Sequence, residues 1–176
     1  MIILGIDPGT AHMGWGVVEK LTAESGRRTG GTRIRVKHID HGAIKTLPSE
    51  TLSKRLVLIK REVEELVERH GVSEIIIERV IFNVNKRSAI SVAQSYGVIL
   101  LLAGERDLPV YEYNALEAKL HLAGYGRASK KDVQLALKRR LRLKVHPTPV
   151  HASDALAIAL CHIFKREREN ARSPRE

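Results

Sequence analysis

Met1-Ile2-Ile3-Leu4-Gly5-Ile6-Asp7-Pro8-Gly9-Thr10 opens the chain. An apolar run ends at a carboxylate, and Asp-Pro-Gly then supplies turn chemistry. The stretch predicts a buried strand with Asp7 at its C-terminal tip, where open α/β sheets present their ligands. Two further acids repeat this placement. Glu78 closes the run Ile75-Ile76-Ile77, and Asp154 opens an apolar helical stretch three residues after His151. Three acids dispersed in sequence, each at the mouth of an element, predict one metal site assembled by the fold.

Outward from that first strand, residues 13–18 predict its hairpin partner. Glu24 to Thr32 reads as a long polar loop, and a third strand is expected from Arg33 to about Ile44. From Ser49 the apolar period changes: Leu52, Leu56, Ile59, Val63 and Leu66 form one helical stripe, with Ser49 as expected N-cap and Gly71 as stop. Val72 to Glu78 reads as a strand, Lys86 to Arg106 as a helix and Leu108 to Tyr113 as a fifth strand. Helices are expected over 115–122, 129–141 and 151–165. Three antiparallel strands followed by alternating helices and strands predict an α/β fold, a five-stranded mixed sheet flanked by helices. Residues 1–165 would form one domain, and 166–176 a disordered basic tail.

Composition narrows the partner. The 176 residues suit a single domain, and a 43% hydrophobic fraction fills one core. No apolar run is long enough for a membrane span, and Met1 runs into the first strand without a basic leader, so a cytoplasmic protein is expected. The single cysteine, Cys161, lies in an apolar segment and is expected to be a buried thiol. A net charge of +10 favours a polyanionic partner, although many basic proteins share that balance.

Each motif has a structural explanation when taken singly. Asp7-Pro8-Gly9 suits any turn, Glu78 could be solvated at a strand end, and His151 and Asp154 suit a helix start. His151 and Asp154, three apart on a helix, share a face. The coincidence of all three motifs favours a site. Gly5-Ile6-Asp7-Pro8-Gly9-Thr10 also resembles the phosphate loop of sugar kinases and actin-like ATPases, but 176 residues hardly accommodate their two domains.

Taken together, the chain from about Met1 to His162 resembles the RuvC-type Holliday-junction resolvases. Gly5-Ile6-Asp7-Pro8-Gly9, Ile77-Glu78 and His151 with Asp154-Ala155-Leu156-Ala157 match the family's metal-site motifs. Asn85, Ser88, Gln94 and Gly97, then Val110-Tyr111-Glu112-Tyr113, and Gly124-Tyr125-Gly126-Arg127-Ala128-Ser129-Lys130 resemble intermediate markers. The resemblance implies a ribonuclease H-like fold and an endonuclease that cuts four-way (Holliday) DNA junctions by paired nicks. Asp7, Glu78, His151 and Asp154 would be the catalytic, metal-binding residues. Two Mg2+ or Mn2+ ions would clamp the attacking and leaving oxygens, giving a 5′-phosphate and a 3′-hydroxyl.

The resemblance also implies DNA contacts at Lys119, Lys130 and Lys131, and at Ile81 and Phe82 just beyond the catalytic strand. Arg87 and Arg127, with Lys86, Arg139 and Arg140, are candidates for a wider phosphate-binding surface. A solvated face is the ordinary alternative for each. A twofold homodimer suits two symmetric cuts, and the apolar Val98–Ala103 segment of the long helix agrees with it. A RuvAB-like branch-migration complex is a further implied partner. Two departures from the family pattern stand out: the early loop is long, and Ile81 occupies a position where the family usually has Phe. Rival readings are a YqgF-like nuclease processing structured RNA, a less selective branched-DNA nuclease, and a non-catalytic junction binder.

Overall fold

The computed structural model describes residues 1–21, 35–79 and 86–172, with the side chains of 86–88 and 171–172 left aside. The early loop at Glu24–Thr32, together with Ile81 and Phe82, lies outside the described residues. The elements are β1 (Ile2–Asp7), β2 (His12–Leu21), β3 (Arg35–Lys45), α1 (Leu52–His70), β4 (Glu74–Glu78), α2 (Lys86–Glu105), β5 (Val110–Tyr113), α3 (Ala115–Ala123), α4 (Lys130–Arg140) and α5 (Val150–Arg172). They build one sheet in the order β3-β2-β1-β4-β5. β1–β2 and β2–β3 pair antiparallel, whereas β1–β4 and β4–β5 pair parallel. The expected three antiparallel then two parallel strands are therefore present.

Strand alternation divides the core between two faces. Leu4, Ile6, Met13, Val17, Ile75 and Ile77 meet Ile59, Val63 and Leu66 of α1 and Ile99 and Leu102 of α2. Ile3, Val18 and Ile76 face the opposite way, onto α3, α4 and α5. Ile75, Ile76 and Ile77 are each fully buried, as a central parallel strand covered on both faces requires. Each such side chain contributes about 1.5–3 kcal/mol.

α5 approaches the sheet closely enough to need glycine beneath it. A Cβ on Gly5 would lie 2.1 Å from the Ala155 carbonyl oxygen, and one on Gly14 would lie 2.1 Å from that of His151. A Cβ on Gly16 would meet Leu156 at 2.5 Å. These absent side chains let the start of α5 settle onto the tips of β1 and β2. At its other end, α5 is held by a buried polar cluster: His162 Nε2 lies 2.9 Å from Glu74 Oε2, His162 Nδ1 lies 3.0 Å from the Tyr113 hydroxyl, and Arg166 donates to Glu74 at 3.3 Å. Glu74 is thereby paired, which its burial demands.

Several boundaries differ from the sequence reading. α1 begins after Thr51 rather than Ser49, while Gly71 ends it in a left-handed conformation (φ 62°). α5 continues past Lys165 to Arg172. The expected tail therefore starts as helix, because Arg166 reaches Glu74 and Tyr111, and Glu167 pairs with Lys20. Cys161 is buried and free, and burial pushes its thiol up to about 12. Trp15 and Tyr96 pack against the α1/α2 core, and no helix among the described residues is long and apolar enough to cross a membrane.

Candidate active site

β1 and β4 are parallel neighbours in a register that pairs Ile6 with Ile77. One residue later, Asp7 and Glu78 leave the two strand tips side by side, on strands about 4.8 Å apart. Both point to the α5 face, in phase with Gly5 and Ile76. α5 then delivers His151 and Asp154 from its first turn. His151 Nδ1 lies 2.7 Å from Asp7 Oδ2. Asp154 is near enough to Asp7 and Glu78 to raise the pKa of each. The four residues named from sequence thus converge at one end of the sheet.

The electrostatics of this convergence are those of crowded acids. Burial, then the charges of Asp7 and Asp154, push Glu78 up to about 8, with Lys130 opposing. Burial also raises Asp7, although its contact with His151 pulls the other way. In the absence of a cation, a proton on Glu78 relieves the repulsion, and a hydrogen bond links the Glu78 and Asp7 side chains. Among the described residues, no three His, Cys, Asp or Glu side chains are arranged as a ready-made cage for an ion. The donor set nevertheless fits a divalent cation: three carboxylates and an imidazole converge, and one acid carries a proton that a cation would displace.

The basic side chains divide. Lys130 Nζ is 3.5 Å from Asp154 Oδ2. Lys119 and Lys130 line a pocket of about 150 Å³ together with Glu78 and Asp154. Two capping boxes, Asn114 with Glu117 and Ser129 with Asp132, fix the starts of α3 and α4 and so aim these lysines. Lys131 and Arg127 are exposed, and neither is in an ion pair among the described residues. Arg87 lies in α2, and its side chain is outside the description.

Sequence reasoning missed two neighbours. His12, at the start of β2, stacks on His151 with ring centroids 6.0 Å apart and planes within 7°. Thr10, buried just past Asp7, bonds to Ser91 of α2, and its carbonyl accepts from Thr46 at 2.5 Å. These bonds hold the turn after Asp7 between α2 and β3. The signal for His12 was its position five residues after Asp7, which the hairpin folds back onto the strand tip. Nothing in the sequence pointed to Ser91.

With this geometry in view, the comparisons are decisive. The family profile "Crossover junction endodeoxyribonuclease RuvC" matches residues 3–162. The chain belongs to the RuvC family. A RuvC from Clostridioides difficile (strain 630) is 38% identical over 96% of this chain and 94% of its own length. That of Petrotoga mobilis is 40% identical over 97% and 99%. Among solved structures, Thermus thermophilus RuvC in complex with Holliday junction substrate superposes with a TM-score of 0.84 and 34% identity, covering 96% of each chain. As a RuvC family member the chain is a metal-dependent endodeoxyribonuclease with the ribonuclease H-like fold.

Proposed function

We propose that the chain resolves four-way DNA junctions by paired symmetric nicks, leaving 5′-phosphate and 3′-hydroxyl ends. The observation that carries this reading is the convergence of Asp7, Glu78 and Asp154 at the C-terminal tips of β1 and β4, with Lys119 and Lys130 lining the adjoining pocket. Asp7, Glu78, Asp154 and His151 would hold Mg2+ or Mn2+, two ions per site. Bound divalent cations supply a deprotonated water and neutralise charge on the leaving oxygen in phosphodiester hydrolysis. Lys130 and Lys119 attract and orient the phosphate, and His151 holds the Asp7 carboxylate by its 2.7 Å contact. Lys131, Arg127 and Arg87 would add phosphate contacts. Incubating the protein with a synthetic four-way junction, linear duplex and structured RNA, each with and without divalent cation, tests the reading. Cation-dependent symmetric cutting of the junction alone is expected, and preferential cutting of RNA would overturn it.

The working unit we infer is a homodimer. On α2, Ile90, Gln94, Gly97, Leu101 and Gly104 follow the i, i+4, i+3 spacing of one helix face. Ile90 and Leu101 are 62% and 58% exposed, and a Cβ on Gly97 or Gly104 would meet nothing within 4 Å. An apolar seam with gaps for a second helix suits a copy of itself. Leu101→Glu should convert the dimer to monomer in sedimentation while the monomer keeps its native circular dichroism, with only the concentration-dependent part of the melting temperature lost. An unchanged dimer would remove α2 from the interface.

His151 places an imidazole among hard carboxylates. Manganese accepts nitrogen more readily than magnesium does. Wild type should therefore cleave at least as fast with Mn2+ as with Mg2+, and His151→Asp should shift the ratio of initial rates several-fold toward Mg2+. A ratio that the substitution leaves unchanged would show that His151 only braces Asp7.

A further inference from the structure

A second concentration of positive charge lies at the opposite end of the sheet from the acids. The start of β3, the end of β2, the C-terminal end of α4 and Phe164 of α5 enclose a cavity of about 610 Å³. Arg35, Lys37, Arg139, Arg140 and Arg142 line it, and among the described residues no carboxylate does. All five are exposed. Among the described residues, Arg35, Arg139 and Arg142 have no ion-pair partner, while Lys37 is 4.0 Å from Glu19. Arg140 is the structural member: its guanidinium sits 4.4 Å over the Phe164 ring and donates to the Leu122 carbonyl.

Cations in the last turn of a helix complement its dipole, which accounts for Lys138, Arg139 and Arg140 on α4. It does not account for Arg35 and Lys37, which line the same cavity from an edge strand. The position relative to the acids is informative. Asp7 pairs with Gly14 and Arg35 with Leu21, so β2 separates the acids from the cavity by about 23 Å at 3.3 Å per residue. α4 runs between the two, with Lys130 beside Asp154 at its start and Arg139 at its end. Lys131 and Lys138, seven residues apart, lie on one face of that helix. Basic residues thus stand at both ends of α4, with none between Lys131 and Lys138, and successive phosphates on one strand of duplex DNA advance about 3.4 Å each.

We propose that this cavity is a second, non-catalytic phosphate site that grips a duplex arm of the DNA substrate roughly six or seven base pairs from the reacting phosphate. The proposal rests on the nuclease reading above. Guanidinium groups suit it because they bind phosphate oxygens in pairs. An acidic protein segment is less well matched, since two cation clusters held about 23 Å apart on rigid elements fit the fixed phosphate spacing of a duplex better than a flexible chain.

The test uses Arg139→Ala/Arg142→Ala, which spares Arg140, and a charge-preserving Arg139→Lys/Arg142→Lys partner, with a long-armed junction in Ca2+ to permit binding without cutting. Losing two phosphate contacts should reduce the slope of log affinity against log salt by about 1.8. That would lower affinity at 50 mM salt by about tenfold more than at 200 mM, and the lysine variant should keep most of the wild-type slope. Ethylation of phosphates six or seven positions from the cut should weaken wild-type binding but not that of the alanine variant. An unchanged slope, or interference that the alanine variant retains, overturns the proposal and leaves an acidic protein as the partner of this face. Cutting of the junction by wild type is scored separately, so the nuclease reading can stand or fall independently.

Discussion

Asp7→Asn, Glu78→Gln and Asp154→Asn should each reduce junction cleavage by on the order of 10²–10³-fold or more, a loss typical of removing one group that stabilises developing charge. Each variant should bind junction DNA at least as tightly as wild type. The two halves of that expectation have different physical sources. Cleavage depends on the charge these carboxylates hold for a divalent cation, and an amide of the same shape keeps the packing while removing the charge. Affinity comes from lysine and arginine contacts to phosphate, which release counterions. Losing an acid beside Lys130 relieves repulsion of the DNA. Asp7 should show the largest effect, because it lies between Glu78 and His151 and feels Asp154 as well. Cleavage and gel-shift assays on the same preparations separate the two quantities. A variant that cuts within a few-fold of wild type would remove its residue from the site.

The sequence carried this constellation because its geometry is local. Asp7 and Glu78 each end an apolar run, so the tips of two parallel strands were legible before the sheet order was known. Asp154 and His151 were legible through helical spacing. What sequence alone did not reveal was the closeness of α5 to the sheet. That depends on Gly5, Gly14 and Gly16 lying beneath Ala155, His151 and Leu156, a match between residues more than a hundred positions apart. The true extent of α5 was hidden for a similar reason. A charged segment such as Arg166–Arg172 reads as solvated tail until Glu74 and Tyr111 are seen beneath Arg166. Ser49 suits a cap by residue type, whereas the turn that starts α1 places Thr51 there. His12 and Ser91 needed the hairpin and the α2 crossing to bring them near Asp7.

The basic residues show the same limit from another side. Lys119 and Lys130 could be paired with the acids only once the capping boxes at Asn114 and Ser129 had fixed where α3 and α4 begin. Arg139 and Arg140 were visible in sequence as charges, but their cavity is completed by Arg35 and Lys37 from the edge strand β3. Helical and strand periodicities predict which residues share a face. They do not predict which two faces will share a hollow.

The second large effect concerns the proton on Glu78. Folded and without cation, this carboxyl keeps its proton to about pH 8, because burial and the charges of Asp7 and Asp154 disfavour ionisation; its ordinary value is 4.5. Between those two values the folded chain binds a proton that the unfolded chain has released. Unfolding free energy therefore falls as pH rises through this window, and the destabilisation is complete above about pH 8. Glu78→Gln lacks the titrating group. In a chelator, its melting temperature should match that of wild type near pH 4.5 and exceed it increasingly toward pH 8, by an amount worth a few kcal/mol. A divalent cation should reverse the order. By binding the ionised carboxylate it stabilises wild type more than the glutamine variant, its affinity should rise with pH up to about 8, and near pH 7 its binding should release close to one proton. Calorimetric titration of the cation in buffers of differing ionisation enthalpy counts that proton directly. A melting difference independent of pH, or binding with no proton released, would mean that Glu78 is already ionised and that the three acids are balanced by something other than a shared proton.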